Sequence, residues 1–220
     1  IIGDDPATRK VFEAGKNGNL KIAVKWGVGV DNVDFEACRD LEIPIENTPN
    51  MFGEEVSDVA VGYLLCLSRK LHNIHNDVKW NFWNKQCGNS LVDKKVCLIG
   101  FGDIGKCVAR KLDAFRMNIW ISDPMYTDGD YNFADLESCM SGADYVVVTC
   151  ALNEHTKNLV NKENLLNCNR GVRVINVARG PIVNETDVCD LLEDGHVDSV
   201  GFDVFEVEPA IQNVLFGHEN

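Results

Sequence analysis

The chain has 220 residues, 45% apolar and 25% charged, the balance of a folded globular protein with room for one large domain or two small ones. Asp and Glu outnumber Lys and Arg 34 to 21, and a net charge of −13 repels phosphate backbones, which argues against a nucleic-acid partner. No apolar run reaches the ~18 residues that would suggest a bilayer-spanning helix, so no membrane span is expected.

In chain order, the sequence starts at Ile1-Ile2-Gly3 without a methionine and stops at Phe216-Gly217-His218-Glu219-Asn220, so it reads as a fragment of a longer protein. Short apolar runs predict strands at 21–26, 95–99, 118–122, 144–149, 172–177 and 198–202. Helical periodicity predicts helices at 54–70, 103–116, 135–141, 162–167 and 185–194. Continuous apolar strands alternating with helices argue for an α/β fold, a parallel sheet covered on both faces. The turn cluster Asn47-Thr48-Pro49-Asn50 before the long helix reads equally well as a domain junction and as an ordinary loop.

The strongest local signal is Gly100-Phe101-Gly102-Asp103-Ile104-Gly105, between the strand KVCLI and a helix. The first glycine permits a tight turn, the second lets backbone approach a pyrophosphate, and the third lets helix and strand pack closely. The helix N-terminus offers free N–H groups to the phosphates. Asp123, at the end of the next strand, would accept hydrogen bonds from ribose hydroxyls and repel a 2′-phosphate. Pro124, Met125 and Tyr126 supply no cation, so NAD is favoured over NADP.

Ligands of open parallel sheets bind beyond the carboxyl ends of the strands. Three later loops stand there: Cys150 to Thr156, Ala178-Arg179-Gly180-Pro181, and Asp203 to Pro209. Arg179 could grip a substrate carboxylate with paired hydrogen bonds, with Gly180 allowing close ligand approach. It could equally be a surface arginine paired to Glu185 or Asp187. Asp203 could meet the nicotinamide amide. Glu208 could hold the far nitrogen of a histidine for proton transfer, or belong with Glu206 to a solvated acidic loop. None of the five histidines has a context that makes it the general base. The nine cysteines are odd in number and widely spaced, without a C-x-x-C pair, so no metal site is expected and a reducing, cytoplasmic compartment fits.

From about residue 20 to 220 these features resemble the D-isomer-specific 2-hydroxyacid dehydrogenases, especially the phosphoglycerate dehydrogenase-like members. The likeness rests on KWGVGVDNVD (25–34), IPIENTPN (43–50), GFGDIG with the later SDP, VINVARGPIVNE (174–185) and VGFDVFEVEP (200–209). The resemblance implies two α/β domains with the active site in the cleft between them. Residues 1–52 would be part of a flavodoxin-like substrate domain, and 53–220 a doubly wound Rossmann domain that binds NAD, incomplete at its C-terminus. It implies hydride transfer between nicotinamide and a small D-2-hydroxy or 2-keto acid of the phosphoglycerate, glyoxylate or hydroxypyruvate type, in a homodimer.

By the same resemblance, Val28 and Gly29 receive the substrate carboxylate, Arg179 is the catalytic arginine and Glu208 the partner of the catalytic histidine. Asp103 and Ile104 lie over the pyrophosphate with Gly100, Gly102 and Gly105, and Asp123 is the ribose acid. Cys150, Thr156, Val177, Ala178 and Asp203 face the cofactor. The family's catalytic histidine would fall past Asn220, and His218 is not its substitute. Ala151 replaces a common proline, and Trp26 is a bulky neighbour for the substrate loop. A non-catalytic NAD-sensing, corepressor-like module is the alternative reading.

Overall fold

The structure is a computed structural model describing residues 5–218, so the terminal features at Ile1-Ile2-Gly3 and Glu219-Asn220 lie outside the described residues. The chain divides into two units, Ile1–Phe52 and Gly53–Asn220.

In the first unit, α1 (Arg9–Asn17), β1 (Ala23–Lys25), α2 (Phe35–Asp40) and β2 (Ile45–Asn47) follow one another. The two strands run parallel, with Ala23 opposite Ile45 and Lys25 opposite Asn47. Phe12, Ala23, Ala37, Cys38 and Ile43 form a small core beneath them. Asp34 caps α2, its Oδ1 accepting from the Ala37 N–H at 2.8 Å. The expected strand at 21–26 is present as Ala23–Lys25, while α1, α2 and β2 have no counterpart in the periodicity reading. Phe12 is the only buried residue of α1, and β2 has three residues, none fully buried; neither carries a repeating apolar pattern.

The second unit begins with α3 (Gly53–Arg69) and α4 (Leu71–Lys79). Then come β3 (Lys95–Ile99), α5 (Asp103–Ala114), β4 (Asn118–Ser122), β5 (Asn132–Phe133), α6 (Leu136–Met140), β6 (Tyr145–Val148), α7 (Lys162–Leu165), β7 (Val172–Asn176), a 3-10 turn at Gly180–Ile182, α8 (Glu185–Asp194) and β8 (Val197–Phe202). Six strands form one all-parallel sheet ordered β5-β4-β3-β6-β7-β8. The chain winds outward from β3 on one side, then returns to β6 on the other, so a topological switch point lies beside β3.

Both faces are covered. Val96, Leu98, Val147 and Ile175 pack with Leu64 and Leu67 of α3 and Val108 and Leu112 of α5. Cys97, Val146, Val148 and Val174 pack with Met140 of α6, Leu165 of α7, and Val188 and Leu191 of α8. Strands buried on both sides are apolar at nearly every position, which explains why KVCLI and YVVV lack alternation. The expected doubly wound parallel fold is therefore present. Helix α4 and the two-residue β5 escape the periodicity reading because α4 buries no residue and β5 is too short for a pattern.

Candidate functional site

The glycine turn stands at the carboxyl end of β3. Gly100 has φ +96°, and a Cβ there would lie 2.7 Å from the Cys150 backbone. A Cβ on Gly105 would lie 2.3 Å from the Gly100 carbonyl oxygen, so α5 starts in direct contact with the strand end. Gly102 differs from both, since a Cβ there meets no atom within 4 Å. Its bare side faces open space, as the approach of a ligand requires. The Gly102, Asp103 and Ile104 N–H groups donate to no group among the described residues, and Gly102 caps α5 without a side-chain bond. Open donors at the positive end of a 12-residue helix suit a diphosphate. Gly102→Ala is expected to leave the melting temperature unchanged and to weaken NAD binding about tenfold or more, read by calorimetry on both proteins.

Asp103 does not extend its carboxylate freely over this site. The group lies against Gly53, where a Cβ would be 2.6 Å from Oδ2, and that oxygen is buried without a hydrogen-bond partner. What Asp103 offers a phosphate is its backbone N–H, while Ile104 packs partly into the core beneath.

Asp123, at the end of β4, anchors the same turn. Its Oδ2 accepts from the Phe101 N–H at 2.7 Å and its Oδ1 from the Met125 N–H at 2.8 Å. Each oxygen keeps a lone pair for a ribose hydroxyl. A pocket of about 400 Å³ opens beside it, lined by Ser122, Asp123, Pro124, Tyr126, Phe133 and Asp135 among others. Tyr126 is bonded from outside the β4 loop, its hydroxyl 2.8 Å from Lys106 Nζ on α5. Across the switch point, burial pushes the Cys150 thiol up to about 11, so it stays neutral at pH 7. The Thr156 hydroxyl donates to the Ala151 carbonyl at 2.7 Å and shapes its own loop.

The second group of loops lies at the carboxyl ends of β7 and β8. Val177 and Ala178 are buried and Arg179 is half-buried. Arg179 Nη1 donates to the Ala178 carbonyl at 2.8 Å. Asn176, fully buried, holds both ends of this loop: its Oδ1 accepts from the Ala178 N–H and its Nδ2 donates to the Arg179 carbonyl, each at 3.0 Å. Gly180 has a different task from the expected close approach of a ligand. A Cβ there would fall 1.9 Å from the carbonyl carbon of Phe205, so its empty side is filled by the β8 loop.

That contact joins the Arg179 loop to the loop carrying Glu208. Glu208 is exposed, with Oε1 accepting from the Phe205 N–H at 2.8 Å. Its second oxygen accepts from no group among the described residues. Glu185, by sequence an alternative partner for Arg179, is buried and clamps the β8 loop instead: its two oxygens accept from the Glu206 N–H and from Asn213 Nδ2, both at 2.6 Å. Asp187 accepts from the Lys162 N–H at 2.9 Å. Asp203 is exposed at the end of β8, its N–H donating to the Asn176 carbonyl at 3.0 Å. The roles of Asn176, Glu185 and Asn213 are not visible in the sequence; only the asparagine directly before the VARG turn offers a signal.

In the N-terminal unit, the loop after β1 is tied by β2. Gly27 N–H donates to Thr48 Oγ1 at 2.9 Å, and Asn47 Nδ2 donates to the Val28 carbonyl at 3.1 Å. The Val28 and Gly29 N–H groups donate to no group among the described residues. The Trp26 ring is half-exposed with its centroid 6.1 Å from that of Phe52. Of the histidines, His196 is buried against the Leu165 carbonyl at 2.9 Å and is structural.

A parallel sheet with a glycine turn at its switch point, open helix N–H groups and an acid closing the next strand defines a dinucleotide-binding oxidoreductase-type domain. The pattern described as "D-isomer specific 2-hydroxyacid dehydrogenase, NAD binding domain" matches residues 61–220, and the chain belongs to that family. It is 34% identical over 211 residues to a hydroxypyruvate reductase of Thermotoga maritima, covering 94% of this chain and 68% of that one. It is 34% identical over 210 residues to a D-3-phosphoglycerate dehydrogenase of Bacillus subtilis, covering 92% of this chain and 40% of that protein. Among solved structures, the TT0316 protein of Thermus thermophilus superposes with a TM-score of 0.88 at 30% identity, over 94% of this chain and 68% of that one. The chain thus spans between 40% and 68% of the length of these proteins. The domain's cofactor is NAD, consistent with the open cradle at Gly102.

Proposed function

We propose that the protein to which this chain belongs is an NAD-dependent D-2-hydroxyacid dehydrogenase acting on a small substrate of the glyoxylate, hydroxypyruvate or phosphoglycerate type. The observation that carries this reading is the junction at Gly180, which seats the Arg179 loop on the Glu208 loop at the edge of the sheet that bears the glycine turn. The relatives' names, a hydroxypyruvate reductase and a phosphoglycerate dehydrogenase, favour an enzyme over an NAD-sensing module.

Each residue has a role its geometry suits. Gly100 and Gly105 shape the turn, and the Gly102, Asp103 and Ile104 N–H groups hold the diphosphate. Asp123 binds the ribose. Cys150, Thr156, Val177, Ala178 and Asp203 border the adenine and nicotinamide ends. Arg179 binds the substrate carboxylate and polarises the neighbouring carbonyl. In the N-terminal unit, the open Val28 and Gly29 N–H groups are donors for a carboxylate. The free oxygen of Glu208 orients the family's histidine and favours its protonated form. When bound, NAD would supply the hydride acceptor for a 2-hydroxy acid, and its reduced form the hydride donor for a 2-keto acid.

Residues 1–52 act as part of a substrate domain and 53–220 as the cofactor domain. Nine unpaired thiols suit a cytoplasmic location. Exposed Leu71 and Val78 on α4, with Trp80, Phe82 and Trp83 after it, suit burial in a homodimer. Calorimetry with NAD and NADP, followed by a keto-acid panel on the full protein, tests the reading. Heat with NAD and reduction of at least one of these acids is expected, and silence with both dinucleotides would end it.

A further inference from the structure

At α8, among residues that take no part in the cofactor turn, three side chains of metal-binding type converge. Cys189 and Glu193 lie one helical turn apart on α8, and His218 reaches them from the last described segment. Their ligand atoms all lie within 4.8 Å of one another, and Cys189 Sγ is 3.4 Å from His218 Nε2. A sulfur and an imidazole nitrogen bound to one tetrahedral zinc ion, at about 2.3 and 2.0 Å, stand about 3.5 Å apart. The pair is therefore spaced as two ligands of one ion.

The surrounding charges leave the site open to a cation. Asp190 is paired with Lys162 at 3.2 Å and Asp194 with Arg170 at 3.2 Å. Glu193 has no ion-pair partner among the described residues. The Cys189 thiol donates to the Val214 carbonyl at 3.5 Å, a bond that would give way when the thiol loses its proton to bind a cation. Thiolate, imidazole and carboxylate together select zinc over magnesium or calcium, which prefer oxygen-only shells.

We propose that Cys189, Glu193 and His218 form a zinc-type divalent cation site that fastens the segment after β8 to α8. That segment carries Glu208 and is already held by the Asn213–Glu185 bond and by Leu215, buried in the core. An ion at its far end would complete the attachment. The 25-residue gap between Glu193 and His218 hides the site from any reading of local metal-ligand spacing. Binding at this site stands independently of the dehydrogenase reading, because none of its ligands belongs to the cofactor or substrate residues.

Titration of the fully reduced protein with Co²⁺, a spectroscopic stand-in for zinc, tests the proposal. Equimolar binding with near-ultraviolet thiolate-to-cobalt absorption is expected. Cys189→Ser should remove that absorption, and both it and His218→Ala should weaken Zn²⁺ in competition by about 100-fold or more. His218 is partly exposed and lies outside the core clusters, so the metal-free melting temperature of His218→Ala should match the parent, while zinc should raise the melting temperature of the parent alone. Absence of equimolar binding, the same absorption in Cys189→Ser, or unchanged Zn²⁺ affinity in His218→Ala overturns the site.

Discussion

Gly180→Ala is expected to cost about 3 kcal/mol of stability or more and to reduce kcat/KM of the full enzyme at least about 100-fold. The new Cβ would lie 1.9 Å from both the carbonyl carbon and oxygen of Phe205 and 2.3 Å from the Glu206 nitrogen. Those atoms are backbone and cannot rotate aside as a flexible side chain would. One of the two loops must therefore move by an ångström or more. The Arg179 loop is fixed from below by buried Asn176, through the Ala178 N–H and the Arg179 carbonyl. The β8 loop is fixed by Glu185, through the Glu206 N–H and Asn213. Either displacement breaks hydrogen bonds to buried groups and shifts the loop that carries Arg179 against the loop that carries Glu208. Thermal melting of the chain reads the first effect, and steady-state kinetics of the full enzyme reads the second. Wild-type values for both would show that the loops do not depend on this contact, and the proposed active-site geometry would fail with it.

The sheet is legible in the sequence because β3 and β6 are buried on both faces and carry the apolar runs 96–99 and 145–148, while β7 is interrupted only by buried Arg173 and Asn176, both of them bonded. The glycine turn is legible because its three positions face three different constraints, two backbone contacts and one open space. Elements with little to bury are illegible: α4 buries nothing, and β2 and β5 together hold five residues. Within the site, Arg179 and Glu208 stand out by type and position. What holds them does not, because Glu185 meets Glu206 and Asn213 only through the return of the chain after β8. Gly180 stands out in the sequence for a different reason from the one the fold supplies, since the atoms that fill its empty side come from residues 205 and 206. The convergence of Cys189 with His218 is likewise a product of tertiary folding, 29 residues apart.

Removal of the Asp123 carboxylate should have the largest effect on cofactor binding. Two ribose hydroxyls bonded to an ionised acceptor contribute about 1.5 kcal/mol each at the low end, so Asp123→Ala is expected to weaken NAD about 100-fold or more. Loss of the Phe101 and Met125 N–H bonds adds to this by loosening the turn. NADP should respond differently. Asp123 repels a 2′-phosphate, and the residues after it carry no positive charge, which from sequence alone leaves the pocket without a cation. The fold supplies one: Lys106 projects from α5, bonds the Tyr126 hydroxyl at 2.8 Å and stands 4.8 Å from the centroid of that ring. Tyr126 lines the pocket beside Asp123. Once the carboxylate is gone, its repulsion of a 2′-phosphate is gone too. Asp135 still lines the pocket, but Lys106 offers a cation through its contact with Tyr126, so the ratio of NADP to NAD affinity should rise at least about tenfold. Lys106→Ala added to Asp123→Ala should return most of that gain, a coupling that calorimetry on the four proteins of the cycle measures directly. If NADP and NAD weaken by the same factor in Asp123→Ala, the acid does not read the ribose and acts only as an anchor for Phe101.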